Sequence, residues 1–363
     1  MKGTVLIMAR KLKIGLIGCG GIANHAHLPA YEEMDNIEIV YVCDVKIERA
    51  ESVKERFDCA KNAKVSADYM DVIGDPEVES IDICTPNYLH SIIAVAALDA
   101  GKNVLTEKPD AVSVEEVLKM KAAADRSGKV LMAIRNNRFM PCSKYAKAAI
   151  DRGDYGEIYA GRCGWIRRRG IPGKGGWFTT KAQSGGGPLI DLGVHMIDLS
   201  MYLMGNPTPV SVTGSIYNKF ADNTAEADSK EAKFGDAKAG GTFDVEDLAM
   251  GFIKFDNGAS LQIEFSWASN IERESKFLEL RGTKAGIRMD NDELSVFGER
   301  DGALYDEYPK CKGMPGHYGA ISHYVDVVLN GTKPIFVPEQ GVNMIKILSA
   351  IYESAKTGKE VLL

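Results

Sequence analysis

The chain has 363 residues, of which 45% are hydrophobic and 26% charged, and carries a formal net charge of −6. That length can hold two domains of about 150 residues each, or one with a large extension. A net acidic balance excludes a nucleic-acid or anionic-membrane surface, either of which calls for a basic excess or stripe, and it leaves small neutral or polar ligands as the better fit. The longest clean apolar run, residues 92–98, is far too short to span a bilayer, and the opening stretch MKGTVLIMARKLKIG has no signal-peptide cleavage pattern, so a cytoplasmic protein is expected.

Strand-like runs at 13–17, 37–43, 81–84, 103–106 and 130–134 are mostly separated by amphipathic stretches. This is the βαβ rhythm of a parallel, doubly wound sheet. From about Tyr155 the pattern turns β-rich, with runs at 210–217, 245–255, 259–267, 277–281 and 293–297. They read as an antiparallel sheet with one helix before it, 188–204, and two after it, 318–329 and 339–356. The division expected is residues 1–137 and 138–363. Residues 221–242, rich in Ala, Asp, Glu, Lys and Gly, read as a mobile insertion between strands. No internal repeat is visible.

The seven cysteines, Cys19, Cys43, Cys59, Cys84, Cys142, Cys163 and Cys311, form no CxxC pair and suit small buried roles in a reducing compartment. No metal is expected, because the six histidines are dispersed and none stands in ligand spacing. His25 and His27, two apart on a helix, do not face one way.

Gly18-Cys19-Gly20-Gly21-Ile22-Ala23 follows a strand and opens a helix. Gly18 permits the tight turn, Gly20 lets backbone approach a pyrophosphate, and small Ala23 allows close packing, while Gly21 and Ile22 begin the helix whose amides face the phosphates. Asp44 ends the second strand, where an acid takes the ribose 2′-hydroxyl and repels a 2′-phosphate. NAD is therefore expected over NADP, although Lys46 lies two residues on. Two further motifs, Thr85-Pro86-Asn87-Tyr88-Leu89-His90 and Glu107-Lys108-Pro109, fall at carboxyl ends of strands, where ligands of open α/β sheets bind. Pro109 restricts Lys108 to an extended conformation, so its ammonium can be held in one place.

The segment from Gly185 to Leu199 begins with three glycines and a proline and is then almost wholly apolar. Asp191, His195 and Asp198, spaced by four and three, are expected along one stripe of this buried helix. Ionisable groups there must be paired or face a wet cavity. Either an internal Asp–His staple or a ligand-facing acid–base pair meets that requirement.

Taken together, G-x-G-x-x-A, TPNxxH, EKP and GGG-P-x-x-D-x-G-x-H-x-x-D resemble the Gfo/Idh/MocA family of oxidoreductases over nearly the whole chain. Asp244-Val245-Glu246-Asp247-Leu248-Ala249, expected to head a strand, and Pro338-Glu339-Gln340-Gly341, opening the last helix, agree with it. Asp110, where the family commonly has an apolar residue, departs from it. The resemblance implies a Rossmann domain followed by an α/β domain with an open, mostly antiparallel sheet, whose outer face commonly makes a homodimer or homotetramer. It also implies that Lys108, Asp191 and His195 are catalytic and that Thr85, Asn87, His90, Glu107 and Lys108 meet the cofactor. In the oxidation direction His195 would take the hydroxyl proton, Asp191 would orient the imidazole or bind a neighbouring hydroxyl, and Lys108 would polarise the oxygen.

Trp165, Arg167, Arg168, Arg169, Lys174, Trp177 and Phe178 mix cations and aromatics suited to a sugar face, and Arg138 is a further candidate for the substrate pocket. The three consecutive arginines cannot all point one way on a strand. His317 and Tyr318 start a helix that returns toward the cleft. The function expected is an NAD-dependent dehydrogenase acting on a sugar, inositol or sugar derivative. An NAD-dependent glycosidase working through a transient keto-sugar and a non-catalytic dinucleotide sensor are the alternatives.

Overall fold

The computed structural model describes residues 10–221 and 234–363. Six strands, β1 (Leu12–Ile17), β2 (Ile37–Cys43), β3 (Lys64–Ser66), β4 (Ser80–Ile83), β5 (Asn103–Thr106) and β6 (Leu131–Ala133), form a parallel sheet in the order β3-β2-β1-β4-β5-β6. Helices cover both faces, which is why β1 and β4 are almost fully buried, Ser80 and Asp82 of β4 included. The order reverses between β1 and β4, and a crevice opens there at the carboxyl ends. Strand β3, only three residues long with Lys64 exposed, has too little periodicity to be read from sequence.

The second sheet holds β7 (Ile158–Ile166), β8 (Pro209–Tyr217), β9 (Leu248–Phe255), β10 (Ser260–Ser266), β11 (Ser275–Gly282), β12 (Ala285–Asp290), β13 (Glu293–Arg300), β14 (Ala303–Glu307) and β15 (Val361–Leu362). Its order is β14-β13-β12-β11-β7-β10-β9-β8-β15, antiparallel except for the parallel pair β7–β10. In β10, Leu261, Ile263 and Phe265 face the core while Gln262 is exposed, the alternation of a sheet covered on one side. Strands β7, β12, β14 and β15 were not expected; β7 is interrupted by Gly161, Arg162 and Gly164 and shows no clean alternation.

The helix Gly316–Asn330 turns back onto the first sheet: Ile321 and Tyr324 pack among Ile14 and Leu16, and the Tyr324 hydroxyl hydrogen-bonds Ser80. Pro338–Thr357 packs along β8. Chain order and spatial grouping thus part company after residue 315. All seven cysteines are free thiols, and among the described residues no helix is long and apolar enough to cross a membrane.

The stretch expected as one helix over 188–204 is a π turn, Leu189–Gly193, running into an α-helix, Val194–Leu203. Hydrogen bonds in a π turn run i to i+5, so the four-residue spacing no longer stacks Asp191 on His195. The start is tightly built. A Cβ on Gly187 would lie 2.0 Å from the Glu246 carbonyl oxygen. The buried Glu246 carboxylate accepts from the amides of Gly187 (3.0 Å) and Leu189 (3.1 Å) and from the Tyr352 hydroxyl (2.9 Å). It satisfies donors that the helix itself leaves open. That duty explains why residues 244–247, expected to head a strand, precede it.

At the domain junction Asp198 takes the paired alternative, and the expectation of Arg138 as a substrate contact fails. Asp198 does not face the cleft: its carboxylate accepts from Arg138 Nε (2.8 Å) and Nη2 (2.7 Å) and from Arg135 Nε (3.0 Å). Arg138, 1% exposed, also donates to the Ile335 carbonyl and Gln340, so it is a structural cation and not a substrate contact. Asp110, the departure from the family pattern, completes the cluster by pairing with Arg135. Removing one member of such a buried set strands the others without a partner. Asp198→Ala should therefore cost about 3 to 5 kcal/mol of stability in urea unfolding; a loss below 1 kcal/mol would contradict the structural role.

Candidate active site

A cleft of about 530 Å³ runs from the glycine turn after β1 to the helix that carries His195. Gly18 has φ +97°, and a Cβ there would stand 2.5 Å from the Cys84 carbonyl oxygen, so only glycine fits. Among the described residues no atom lies within 4 Å of where a Cβ on Gly20 would be, which leaves bare backbone at the head of the following helical turn. Gly18, Gly20, Gly21 and Ile22 line the cleft. Ala23 is fully buried in the core and serves the packing alone.

Asp44 is fixed at the end of β2, with Oδ2 accepting from the Cys19 amide and Oδ1 from the Lys46 amide, both at 2.9 Å. Its carboxylate thus sits directly beside the glycine turn. Thr85 and Asn87 line the crevice, and Asn87 donates to the Ser184 carbonyl at 2.8 Å. His90 does not line it. The buried ring nitrogens face the carbonyls of Pro109 (2.8 Å) and Thr85 (2.9 Å), so His90 staples the two motif loops together instead of meeting a cofactor.

Glu107 borders the cleft, but its oxygens are engaged elsewhere: Oε1 with His27 Nε2 at 2.9 Å, Oε2 with the Lys108 amide at 3.0 Å. His27 Nδ1 in turn lies 2.7 Å from Asp82, which also accepts from the Tyr31 hydroxyl at 2.9 Å. Burial works against a charge on His27, yet the adjacent Asp82 carboxylate holds its pKa well above 6.5. The ligand atoms of His27, Asp82 and Cys84 lie within 4.8 Å of one another. With both imidazole nitrogens on carboxylates, however, His27 has no lone pair to offer a metal.

At the far end Lys108 Nζ donates to Asp191 Oδ1 (2.8 Å) and to the Asp191 carbonyl (3.1 Å). Asp191 Oδ2 accepts from the indole of Trp267 at 3.0 Å. Burial would raise the Asp191 pKa, but Lys108 and Arg167 outweigh it and bring it down to about 2. Asp191 therefore orients Lys108, where an Asp191–His195 pair had been the alternative. His195, desolvated and close to the Lys108 cation, is held well below 6.5 and is a neutral imidazole.

Trp165 stands beside it with ring centroids 6.2 Å apart, and Trp177 stacks on Phe178 at 3.8 Å. Of the three arginines only Arg167 lines the cleft; Arg169 donates to the Ser269 carbonyl. His317 lines it too, while Tyr318 packs against the first core. Lys276, Asn136 and Asn137 are lining residues, and Trp267 a supporting one, that sequence reasoning missed. Each comes from a segment with no motif of its own. Residues 222–233 of the expected insertion lie outside the described residues. Beyond them Phe234 lies over Gly21 and against Phe178, and Asp236 pairs with Arg49 at 2.7 Å.

A glycine turn with an acid at the next strand end, facing a cation and a neutral imidazole, defines an NAD-binding oxidoreductase. Residues 12–134 match the model of an oxidoreductase family with an NAD-binding Rossmann fold, and residues 143–288 match the GFO/IDH/MocA C-terminal domain. The chain belongs to the Gfo/Idh/MocA family. It is similar to the D-glucoside 3-dehydrogenase of Escherichia coli (strain K12), 32% identical over 96% of this chain and 97% of that protein. The levoglucosan dehydrogenase of Pseudarthrobacter phenanthrenivorans is 30% identical over 85% of this chain and 82% of its own. A solved levoglucosan dehydrogenase, in complex with NADH and levoglucosan, has a TM-score of 0.82 at 26% identity and covers 97% of this chain and 99% of that one.

Because Asp44 presents a fixed carboxylate beside the turn, NAD should bind more tightly than NADP, and Asp44→Ser should narrow the difference in Kd. Equal binding of NADP by the unmodified protein would contradict this role.

Proposed function

We propose that the protein oxidises a secondary ring hydroxyl of a sugar, with the ring of a D-glucoside as the first substrate to test. The observation that carries this reading is the chain Trp267–Asp191–Lys108 beside a neutral His195 in one cleft. An ammonium has three donors, and Asp191 takes two of those on Lys108. The third is left for a substrate oxygen. His195, uncharged, accepts the hydroxyl proton; Lys108 stabilises the alkoxide character that develops on the oxygen. Asp191 and Trp267 keep the lysine from swinging away. Bound NAD supplies the hydride acceptor. Trp165 and Trp177 offer aromatic faces for the C–H side of the ring. The 32% identity to a D-glucoside 3-dehydrogenase supports the choice of substrate.

A dinucleotide sensor has no use for this proton-transfer set. A glycosidase returning its hydride would release aglycone with no net NADH, so stoichiometric NADH accumulation separates that reading from ours. The seven free thiols support a cytoplasmic setting. Exposed Tyr159, Met250, Phe252 and Phe297 on the second sheet support association of two or more copies through that face.

Lys108→Ala and His195→Ala should each lower turnover by about two to four orders of magnitude while NAD affinity stays within roughly tenfold. Near-normal turnover in His195→Ala would remove that residue from the mechanism. The base must be unprotonated, and its pKa is depressed, so initial rates of oxidation should hold level as pH falls through 6.5 and decline only below it. An acidic limb centred at or above 6.5 would contradict His195 as the base.

A further inference from the structure

The cleft does not end at His195. A second cavity of about 420 Å³ adjoins it, and Asn137 and Lys276 line both. The Asn137 amide nitrogen lies 3.5 Å from the His195 carbonyl oxygen and 3.7 Å from the Met196 sulfur. Lys276 donates to Asp292 at 3.0 Å and sits 5.1 Å from the Trp165 ring centroid. These two polar side chains form the neck. Past it Met140, Met196, Leu199, Met289 and Met314 supply much of the wall, with Ser143, Asp292 and Lys312 as its polar members. Met196 is the residue after His195, so one turn of helix serves both chambers.

The first cavity extends from Gly18 and Asp44 to His195, and a dinucleotide takes up most of that length. A substrate larger than one sugar ring must therefore extend elsewhere. The second cavity is poorly suited to a free polyol, whose every hydroxyl needs a partner once desolvated. Thioethers are unbranched, polarisable and adaptable, and they accommodate apolar groups of differing shape.

We propose that this second cavity is an aglycone subsite. The substrate is a glycoside whose sugar ring lies at Lys108 and His195 and whose apolar aglycone passes between Asn137 and Lys276 into the methionine-lined chamber. The inference rests on the dehydrogenase reading above and adds to it the class of substrate. The outer wall is the segment 311–315, where Met314 is 53% exposed. A bulkier residue at 314 can be tried there without disturbing a packed core.

The test compares methyl and n-hexyl D-glucosides, both anomers, in initial-rate assays with NAD, alongside calorimetric binding of each glucoside to the NAD-loaded protein. At about fourfold per buried methylene, burial of two or three of the five that n-hexyl adds should raise kcat/KM over methyl by about tenfold to a hundredfold, the gain lying in KM. In Met314→Trp the hexyl-to-methyl ratio should fall toward one, and Met140→Phe offers a second way of filling the chamber. Equal kcat/KM for the two glucosides, or a ratio unmoved by both variants, overturns the subsite while leaving the dehydrogenase reading intact. Tighter binding of the hexyl glucoside with no NADH formed from any sugar supports the subsite and overturns that reading instead.

Discussion

Lys108 comes from the loop after β5 of the first sheet and Asp191 from a π turn packed on the second, so the ion pair between them fastens the two halves inside the cleft. An ion pair in such a place is stable only if each member is held by further hydrogen bonds. Trp267 supplies one to Asp191, and the Glu246 cap sets the start of the turn that presents it. On the other side Glu107 accepts from the backbone of Lys108 itself. The three glycines at 185–187, the acid at 246 and the tyrosine at 352 thus serve one purpose, the placement of a single carboxylate.

Charges alternate through this region: Asp82, His27, Glu107, Lys108, Asp191. His27 gains a proton affinity above its unfolded value, so the stability it contributes is fully present below pH 6.5 and is lost as pH rises through its elevated folded pKa. Asp191 shows the opposite sense. Its contribution is present above the unfolded value of 3.8 and is lost as pH falls toward about 2. Between those limits both groups favour the folded cleft, and burial together with the neighbouring Lys108 cation holds His195 well below its ordinary 6.5. The depressed proton affinity of His195 follows from the scaffold.

The parallel sheet was legible because strand-like runs alternate with amphipathic stretches at all of its strands but the three-residue β3, and Asp44 because its distance from the glycines is set by one βαβ unit. Lys108, Asp191 and His195 were legible as motif residues. Their pairing was not: the four-residue spacing suggested Asp191 with His195, and a π turn, which leaves no mark in hydrophobic periodicity, sent the carboxylate to Lys108 instead. Asp198 could be placed only on the same stripe, because sequence cannot tell a wet cavity from a pair of arginines that arrive from residues 135 and 138. Lys276 and Asn137 reach the cleft only through tertiary folding.

The mouth of the cleft shows how cofactor choice divides between fixed and movable groups. Arg49 and Lys46 both border the adenosine end, and either cation would suit a 2′-phosphate. Arg49 is drawn toward Asp236, but that pair is largely exposed and exposed pairs contribute little, so it cannot keep the guanidinium from another anion. Asp44 differs in kind. Two backbone amides hold its carboxylate in place, and a phosphate approaching the ribose 2′ position would meet a negative charge that cannot turn aside. The expected preference for NAD thus rests on one fixed acid set against the cations Lys46 and Arg49 beside it.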